Sequence, residues 1–275
     1  METQIIAIYC LLDDYIQSIG YQDWPNAKLT TSEVMLINIV GMRFFYGNID
    51  TARKFLVEHK YISKGISKSA LNRRIHRIPM EWWENILEFI QRLRNQGILP
   101  LEYIVDTFPV SVCRNIRIRN CRIYQGEDFR GYNFSKREWF YGIKVTVITS
   151  RDGCPLRIML CPGKEHDSVP FKYMNRNLPE GSKIYGDSAY LNYEHQDMLE
   201  EVEKIKMIAE PKSNSTRGID LHDFVNLKHI RKFIEGSFGV ISRLMPRKIR
   251  AVNSQGFEIK IMGFLVAVSI NFIIN

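Results

Sequence analysis

Two aspartates follow short apolar runs of the same kind. Asp106 comes directly after Glu102-Tyr-Ile-Val, and Asp187 comes directly after Lys183-Ile-Tyr-Gly. Open α/β sheets present functional groups at the carboxyl ends of their strands. We therefore expect each run to be a short strand that ends at its aspartate, so that both carboxylates lie on one rim of a sheet.

Glu235 is a third acidic residue in an informative setting. It lies in a helical stretch whose apolar residues are Phe233, Ile234, Phe238 and Ile241. That face of the helix is expected to point toward the protein body, which would keep the carboxylate from free solvation. The alternative for all three acids is structural, because an aspartate at a strand end often caps a turn and Glu235 could be a paired acid.

Three carboxylates on one rim would repel each other unless a cation lies between them. Hard divalent ions such as Mg²⁺ prefer oxygen ligands and keep positions open for water and phosphate. Two such ions, about 3.5–4 Å apart, stabilise the attacking and leaving oxygens of a phosphoryl displacement. Asp106, Asp187 and Glu235 are therefore the candidate catalytic and metal-binding residues.

The stretch after Asp106 is rich in arginine and aromatic residues. Guanidinium groups bind phosphate, and aromatic rings stack on unpaired bases. We expect this segment to hold a DNA backbone beside the acidic residues; the alternative is a solvated surface. A second basic cluster after the Glu235 helix would extend the same track. The candidate contacts are Arg114, Arg117, Arg119, Arg122, Lys136 and Arg137 in the segment, and Arg243, Arg247, Lys248 and Arg250 in the cluster.

The first part of the chain, to about Gly97, has apolar residues at helix spacing. Thr30 and Glu33 form a possible capping box, and Asp50 is expected to cap the next helix. A strongly basic helix over 66–78 carries three arginines. Short helices followed by a basic one predict a small all-helical, helix-turn-helix-like DNA-binding domain over 1–98, with a solvated helix face as the alternative. The arginines are Arg73, Arg74 and Arg77.

Beyond Pro100 the pattern changes to strands and helices. Residues 103–105 and 183–185 are the short strands described above, 139–149 and 156–160 form a hairpin, and 206–209 is a further strand. Residues 168–177, 193–204 and 224–244 are expected to be helices. The apolar run 261–274 is expected to be a buried helix that closes a core. These elements predict an α/β domain over 99–275 with a mixed sheet flanked by helices.

Bulk composition narrows the partners. The chain has 275 residues and a formal net charge of +8, which favours a polyanionic partner. The five cysteines are scattered, so a zinc site is not expected and the thiols are expected to stay reduced in a cytosolic protein. The apolar C-terminal run is shorter than the roughly 20 residues of a membrane span, and the N-terminus does not look like a signal peptide. We expect a soluble cytoplasmic protein with no membrane partner.

The sequence resembles the DDE-type insertion-sequence transposases of bacteria and archaea, which have a ribonuclease-H-like catalytic domain. The residues that carry the resemblance are YIVDTFPV around Asp106, YGDSAY around Asp187 and RKFIEGSFGVISRL around Glu235. CRNIRIRNCRIY, WFYGIKVTVITSRDG and PGKEHDS support it. The resemblance covers nearly all of residues 99–275, and the small helical domain suits it.

The resemblance implies that Asp106, Asp187 and Glu235 bind two Mg²⁺ ions, with Mn²⁺ as a substitute. It implies cutting of double-stranded DNA at element ends, joining of the 3′-hydroxyl to target DNA, and a homodimer or larger assembly on DNA at the nucleoid. Arg231 matches an arginine of many relatives, and His166-Asp167 resembles an accessory His-Asp pair, with a plain loop histidine as the alternative. Lys228 and Ser242 depart from the fuller signature, which has Tyr and Lys there.

Three other functions compete with this one. A DNA-binding protein of transposase descent without catalysis would not need clustered carboxylates. A metal-dependent nuclease that cuts without joining would use the same site, so only a strand-transfer assay separates it. A structural or RNA-associated basic protein is the least favoured, because the sequence has no RNA-recognition signature.

Overall fold

The structure, a computed structural model, describes residues 1–63, 65–134, 136–213, 215–246 and 248–274, without the side chains of 234 and 237. Arg247 of the second basic cluster therefore lies outside the described residues. The chain forms two compact units: unit 1 is Met1–Ile90 with Val240–Asn275, and unit 2 is Gln91–Gly239. This division differs from the expected boundary at 98/99, chiefly because the C-terminal segment joins the N-terminal helices.

Unit 1 is helical. Thr30 and Glu33 make the expected capping box at the start of the second helix. The cap of the third helix is Asn48, whose side chain accepts the Thr51 N–H at 3.2 Å, so the expectation for Asp50 was wrong; Asp50 lies in the first turn. The helices are α1 Glu2–Ser18, α2 Thr31–Phe44, α3 Ile49–Glu58, α4 Lys68–Arg77, α5 Met80–Arg94, which continues into unit 2, and, near the C-terminus, α9 Ser254–Ile270.

The helix α9 explains why the C-terminal segment belongs to unit 1. From Ile261 onward it has no charged residue on any side, and Phe264, Leu265 and Val266 are fully buried. A helix of this kind must be surrounded by protein, and α9 packs against α2 and α4. The expected buried helix near the C-terminus is therefore confirmed. Within the described ranges, no helix has the length and apolar character needed to cross a membrane.

Unit 2 is built on a mixed sheet of six strands. The strand order is β2-β3-β1-β5-β6, and β4 also pairs with β3. The β1–β3, β2–β3 and β3–β4 pairs are antiparallel, whereas β1–β5 and β5–β6 are parallel. The strands are β1 Glu102–Cys113, β2 Arg130–Asn133, β3 Glu138–Ser150, β4 Pro155–Pro162, β5 Lys183–Gly186 and β6 Lys206–Ala209; the helices are α6 Ser168–Tyr173, α7 Tyr193–Met198 and α8 Leu221–Leu244, whose last residues belong to unit 1.

Helices cover both faces of this sheet. On one face, Ile104 and Tyr185 pack against Leu227 and Ile230 of α8. On the other face of the sheet, Tyr103, the neighbour of Ile104 in β1, belongs to a core that contains Phe171 of α6 and residues of the 199–205 segment. Side chains alternate between the two faces of a strand, so this arrangement decides which residues of β1 point toward α8. The predicted mixed sheet flanked by helices is confirmed.

The first strand is much longer than expected. Asp106 does not end it but pairs with Val147 in its middle, and the strand continues through Pro109 to Cys113. Proline is tolerated where one side of a strand has no ladder, and β5 pairs with β1 only from Glu102 to Ile104. The long antiparallel partner β3 extends β1 beyond the aspartate.

Candidate active site

Asp106 and Asp187 lie at the same level of two neighbouring parallel strands. The ladder pairs Glu102 with Lys183 and Ile104 with Tyr185, an offset of 81 residues in both cases. The same 81 residues separate Asp106 from Asp187. Asp106 shares the α8 face of β1 with Ile104, since residues two apart point to the same side. The sheet register therefore brings the two aspartates together.

Local hydrogen bonds orient both carboxylates. Asp106 Oδ1 accepts the N–H of Thr107 at 2.7 Å, and Asp187 Oδ1 accepts the N–H of Ala189 at 2.9 Å. Asp187 thus caps the short turn Ser188–Tyr190, as the structural alternative anticipated. The hydroxyls of Thr107 and Tyr190 lie 2.8 Å apart and link β1 to the turn that follows Asp187. The hydrogen bonds from the N–H groups of Thr107 and Ala189 each occupy one oxygen of the aspartate that accepts them.

The surroundings of this pair disfavour the ionised form of both carboxyl groups. Burial, together with the negative charges of Asp187 and Asp167, raises the pKa of Asp106 to about 7, against the opposing effect of the Thr107 N–H and of Arg231. Burial also raises the pKa of Asp187, with contributions from Asp167 and Glu210. Buried carboxylates with further acidic groups nearby can serve as ligands for a hard divalent ion.

Asp167 belongs to this acidic group, whereas His166 lies at its edge. The Asp167 carboxylate forms an ion pair with Lys144 of β3 at 2.8 Å. Its charge acts on both Asp106 and Asp187. His166 is exposed, and its Nδ1 lies 2.9 Å from the hydroxyl of Ser168. Of the expected accessory pair, the aspartate is therefore the member that contributes to the site.

Glu235 is exposed, which corrects the expectation that the protein body shields it. The side of α8 that packs on the sheet contains Leu227 and Ile230, and on a helical wheel Glu235 lies about 80° from Leu227. One turn on, Phe238 contacts Phe108 with ring centroids 4.9 Å apart. Among the described residues, no three His, Cys, Asp or Glu side chains are arranged to hold a metal ion. The structure brings two of the three acids together and leaves Glu235 exposed on α8.

Arg231 occupies the position one turn before Glu235. It forms an ion pair with Glu210. Its positive charge opposes the rise in the pKa of Asp106 and Asp187. Glu210 was missed in the sequence, although it directly follows the strand β6 just as Asp187 follows β5. The Glu210 N–H also donates to the carbonyl of Gly186, next to Asp187. An acid after each of two adjacent parallel strands is a signal that could have identified it.

The basic segment between β1 and β3 is open to solvent, as phosphate contact requires. Phe134 and Trp139 are 82% and 60% exposed, and both contact Tyr132 edge-on. Asn115–Asn120 forms a short 3₁₀ helix. The exposed cationic residues are Arg114, Arg117, Arg119, Arg122, Lys136 and Arg137; Arg243 of the second cluster is exposed as well.

The three arginines of α4 differ in their surroundings. Arg73 and Arg77 are exposed. Arg74 is half-buried, and its guanidinium donates to the carbonyl of Leu29 at 2.6 Å and to the Asp23 carboxylate at 3.0 Å. Arg74 thus makes its contacts within unit 1, and it is no longer a candidate DNA contact.

Replacing Arg74 with alanine is expected to destabilise unit 1 by about 2–3 kcal/mol, because the half-buried Asp23 carboxylate loses its only charged partner among the described residues and keeps just its hydrogen bonds from Thr31. Replacing the exposed Arg73 in the same way should change stability by less than about 0.5 kcal/mol. Chemical denaturation of the two variants measures the difference. Equal stabilities would show that the Arg74 contacts contribute nothing.

Comparison with known families agrees with this geometry. Residues 95–247, more than half of the chain, match the family described as Transposase DDE domain. The chain belongs to this family, and its sheet and flanking helices form a ribonuclease-H-like domain. A comparison with curated proteins gives no match. Members of the family are nucleases or transferases that act on DNA, and they generally use divalent metal ions.

Proposed function

We propose that this protein is a transposase that cuts DNA at the ends of an insertion element and joins the exposed 3′-hydroxyl to target DNA. One observation carries the proposal: the register of two adjacent parallel strands brings Asp106 and Asp187 together, and burial raises the pKa of both carboxyl groups. Membership of the DDE family supplies the reaction class.

Two Mg²⁺ ions, with Mn²⁺ as a substitute, are the proposed cofactor. Asp106 and Asp187 would hold them, and Glu235, on the adjacent helix, is proposed to complete the ligand set. The chemistry that bound Mg²⁺ supplies is stabilisation of negative charge on the attacking and leaving oxygens. The protein's own contribution is to orient the carboxylates through the Thr107 and Ala189 N–H groups and to limit their repulsion through Arg231.

Exposed cations are the proposed contacts to double-stranded DNA. Guanidinium groups can bind two phosphate oxygens at once, so the basic segment is suited to hold the backbone near the aspartates. Arg231 is better assigned to the acidic site, given its pair with Glu210. We propose that the protein acts in the cytoplasm at the nucleoid, as a homodimer or larger assembly that pairs two element ends. The DNA contacts are Arg114, Arg117, Arg119, Arg122, Lys136, Arg137 and Arg243, with Arg73 and Arg77 of α4.

The test compares the wild type with Asp187→Asn on a labelled duplex that carries the end of its own element, with Mg²⁺ or Mn²⁺. Asparagine keeps the shape and the acceptor for the Ala189 N–H but removes the charge that a metal requires. We expect the wild type to nick and join the end, and the variant to bind DNA with cutting reduced by about a thousandfold or more. Asp197→Asn, which changes an exposed carboxylate paired with Arg217, is the matched control and should retain activity.

Each alternative has its own outcome in this assay. Cutting without joining would identify a nuclease. Equal DNA binding by both proteins, with no cutting under either metal, would contradict the transposase proposal and favour a DNA-binding protein that no longer catalyses.

A further inference from the structure

Unit 1 contains a cleft of about 1100 Å³ that is separate from the acidic site. Its walls come from the start of α3, from α4, from Pro246 and residues 248–253, and from α9. Leu71 and Phe264 are apolar lining residues, and the exposed Tyr46 also lines it. Five of its lining residues are lysine or arginine: Lys54, which pairs with Asp50, and Lys68, Lys248, Arg250 and Lys260.

Positive charge accumulates in this cleft. Lys260 is half-buried, and its Nζ donates to the carbonyl of Arg250 at 2.5 Å. Burial, and then repulsion by Lys68 and Arg250, lowers the pKa of Lys260. Like charges that come together in a partly enclosed space are unfavourable unless an anion joins them.

The chain itself supplies little negative charge here. Asp50 lines the cleft, but its carboxylate is paired with Arg53 at 2.9 Å and with Lys54 at 3.6 Å. Across the ranges that the structure describes, none of Lys68, Lys248, Arg250 and Lys260 forms an ion pair with an acidic residue. The first turns of α3 and α9 also open on the cleft, and helix N-termini add positive potential.

We propose that this cleft binds the phosphodiester backbone of DNA, with Lys68, Arg250 and Lys260 as the phosphate contacts. It is a different surface from the one that carries Arg73 and Arg77, because these residues lie about 140–180° from Lys68 around α4. Unit 1 would thus contact DNA on two faces of one helix. The inference rests on the proposed function only in taking DNA as the partner.

The experiment measures the affinity of the full-length chain for a 30-base-pair duplex of arbitrary sequence, in EDTA, over a series of salt concentrations. Each phosphate contact contributes about one unit to the slope of log affinity against log salt. Lys68→Gln/Lys260→Gln should lower the affinity about tenfold or more and reduce the slope by about two. Lys60→Gln, an exposed lysine of unit 1 outside the cleft, is the matched control and should change neither quantity much.

Lys260 is half-buried, so its replacement could also affect folding. A second double variant, Lys68→Gln/Arg250→Gln, changes only exposed side chains and should have a similar effect on affinity and slope. An unchanged affinity and slope in both double variants would overturn the proposal. The thermal stability of the wild type and of both double variants is also measured with and without inorganic pyrophosphate. If pyrophosphate stabilises only the wild type while the variants keep full duplex affinity, the proposal is overturned as well, because the ligand would then be a small phosphate. A metal-free binding assay leaves cutting at the acidic site untouched, so failure here is distinct from failure of the transposase proposal.

Discussion

Replacement of Asp106 by asparagine is expected to abolish DNA cutting and, at the same time, to stabilise the metal-free protein. The loss of cutting, about a thousandfold or more, follows from the removal of a proposed metal ligand. The gain in stability has a separate cause, since burial, Asp187 and Asp167 raise the pKa of Asp106 to about 7. A group that resists ionisation in the folded state destabilises that state once it is ionised.

The sign of the pH dependence follows from the two states of this carboxyl group. In the unfolded chain Asp106 ionises near pH 4, whereas in the folded chain it ionises near 7. The folded state therefore binds the proton more tightly, and the contribution of Asp106 to stability is present below pH 4 and is lost as the pH rises to 7. At pH 7.5 in EDTA, Asp106→Asn should be more stable than the wild type by about 2 kcal/mol, a figure reduced for partial solvent access.

Denaturant titrations of both proteins between pH 4.5 and 7.5 measure this difference, which should shrink toward the acidic end. Mg²⁺ should stabilise the wild type more than the variant, because an ion that binds only the folded state shifts the equilibrium by mass action. Asp197→Asn serves as the control, since the Arg217 hydrogen bond lowers the pKa of Asp197 and no gain is expected. A variant less stable than the wild type at pH 7.5 would contradict the account of the charge in this site.

Glu235→Gln is expected to reduce cutting by about a thousandfold while leaving stability within about 0.5 kcal/mol of the wild type. The side chain is exposed, so its replacement removes no packing. It lies about 40° around α8 from Arg231, whose charge acts on both aspartates, so the proposed ligand shares a side of the helix with Arg231. Loss of activity without loss of stability is the signature of a residue that acts only in the reaction.

Glu201→Gln is the matched control for this variant, because Glu201 is an exposed glutamate of the same unit outside the acidic group. It should cut at the wild-type rate. Wild-type cutting by Glu235→Gln would exclude Glu235 as the third ligand. The next candidates would then be Asp167 and Glu210, whose charges already act on Asp187.

Much of the local structure follows from the sequence alone. The capping box at Thr30 is present, and the strand expected over 206–209 has the bounds observed for β6. The hairpin of β3 and β4 and the strand that delivers Asp187 were also expected, as was the buried helix α9. Each of these depends on residues close together in the chain, where hydrophobic period, caps and turns act directly.

Other features depend on partners far away in the chain. β1 extends past Asp106 because β3 pairs with it, and Pro109 would have suggested a break. The sequence does not distinguish Arg74 from the other arginines of α4. Only the structure shows that it binds Asp23 and the carbonyl of Leu29. The sequence of an apolar C-terminal helix does not show which of the two units encloses it.

The sequence by itself therefore determined the types of most elements, and it predicted the acidic residues and a divalent cation for them. Only the tertiary structure decided that the β1–β5 register places Asp106 level with Asp187, that Glu210 joins them, and that Glu235 is exposed. The physical reason is that strand register and helix orientation are set by long-range packing. A shift of one residue in the register would turn the alternate side chains to the opposite face of the sheet without changing any local signal.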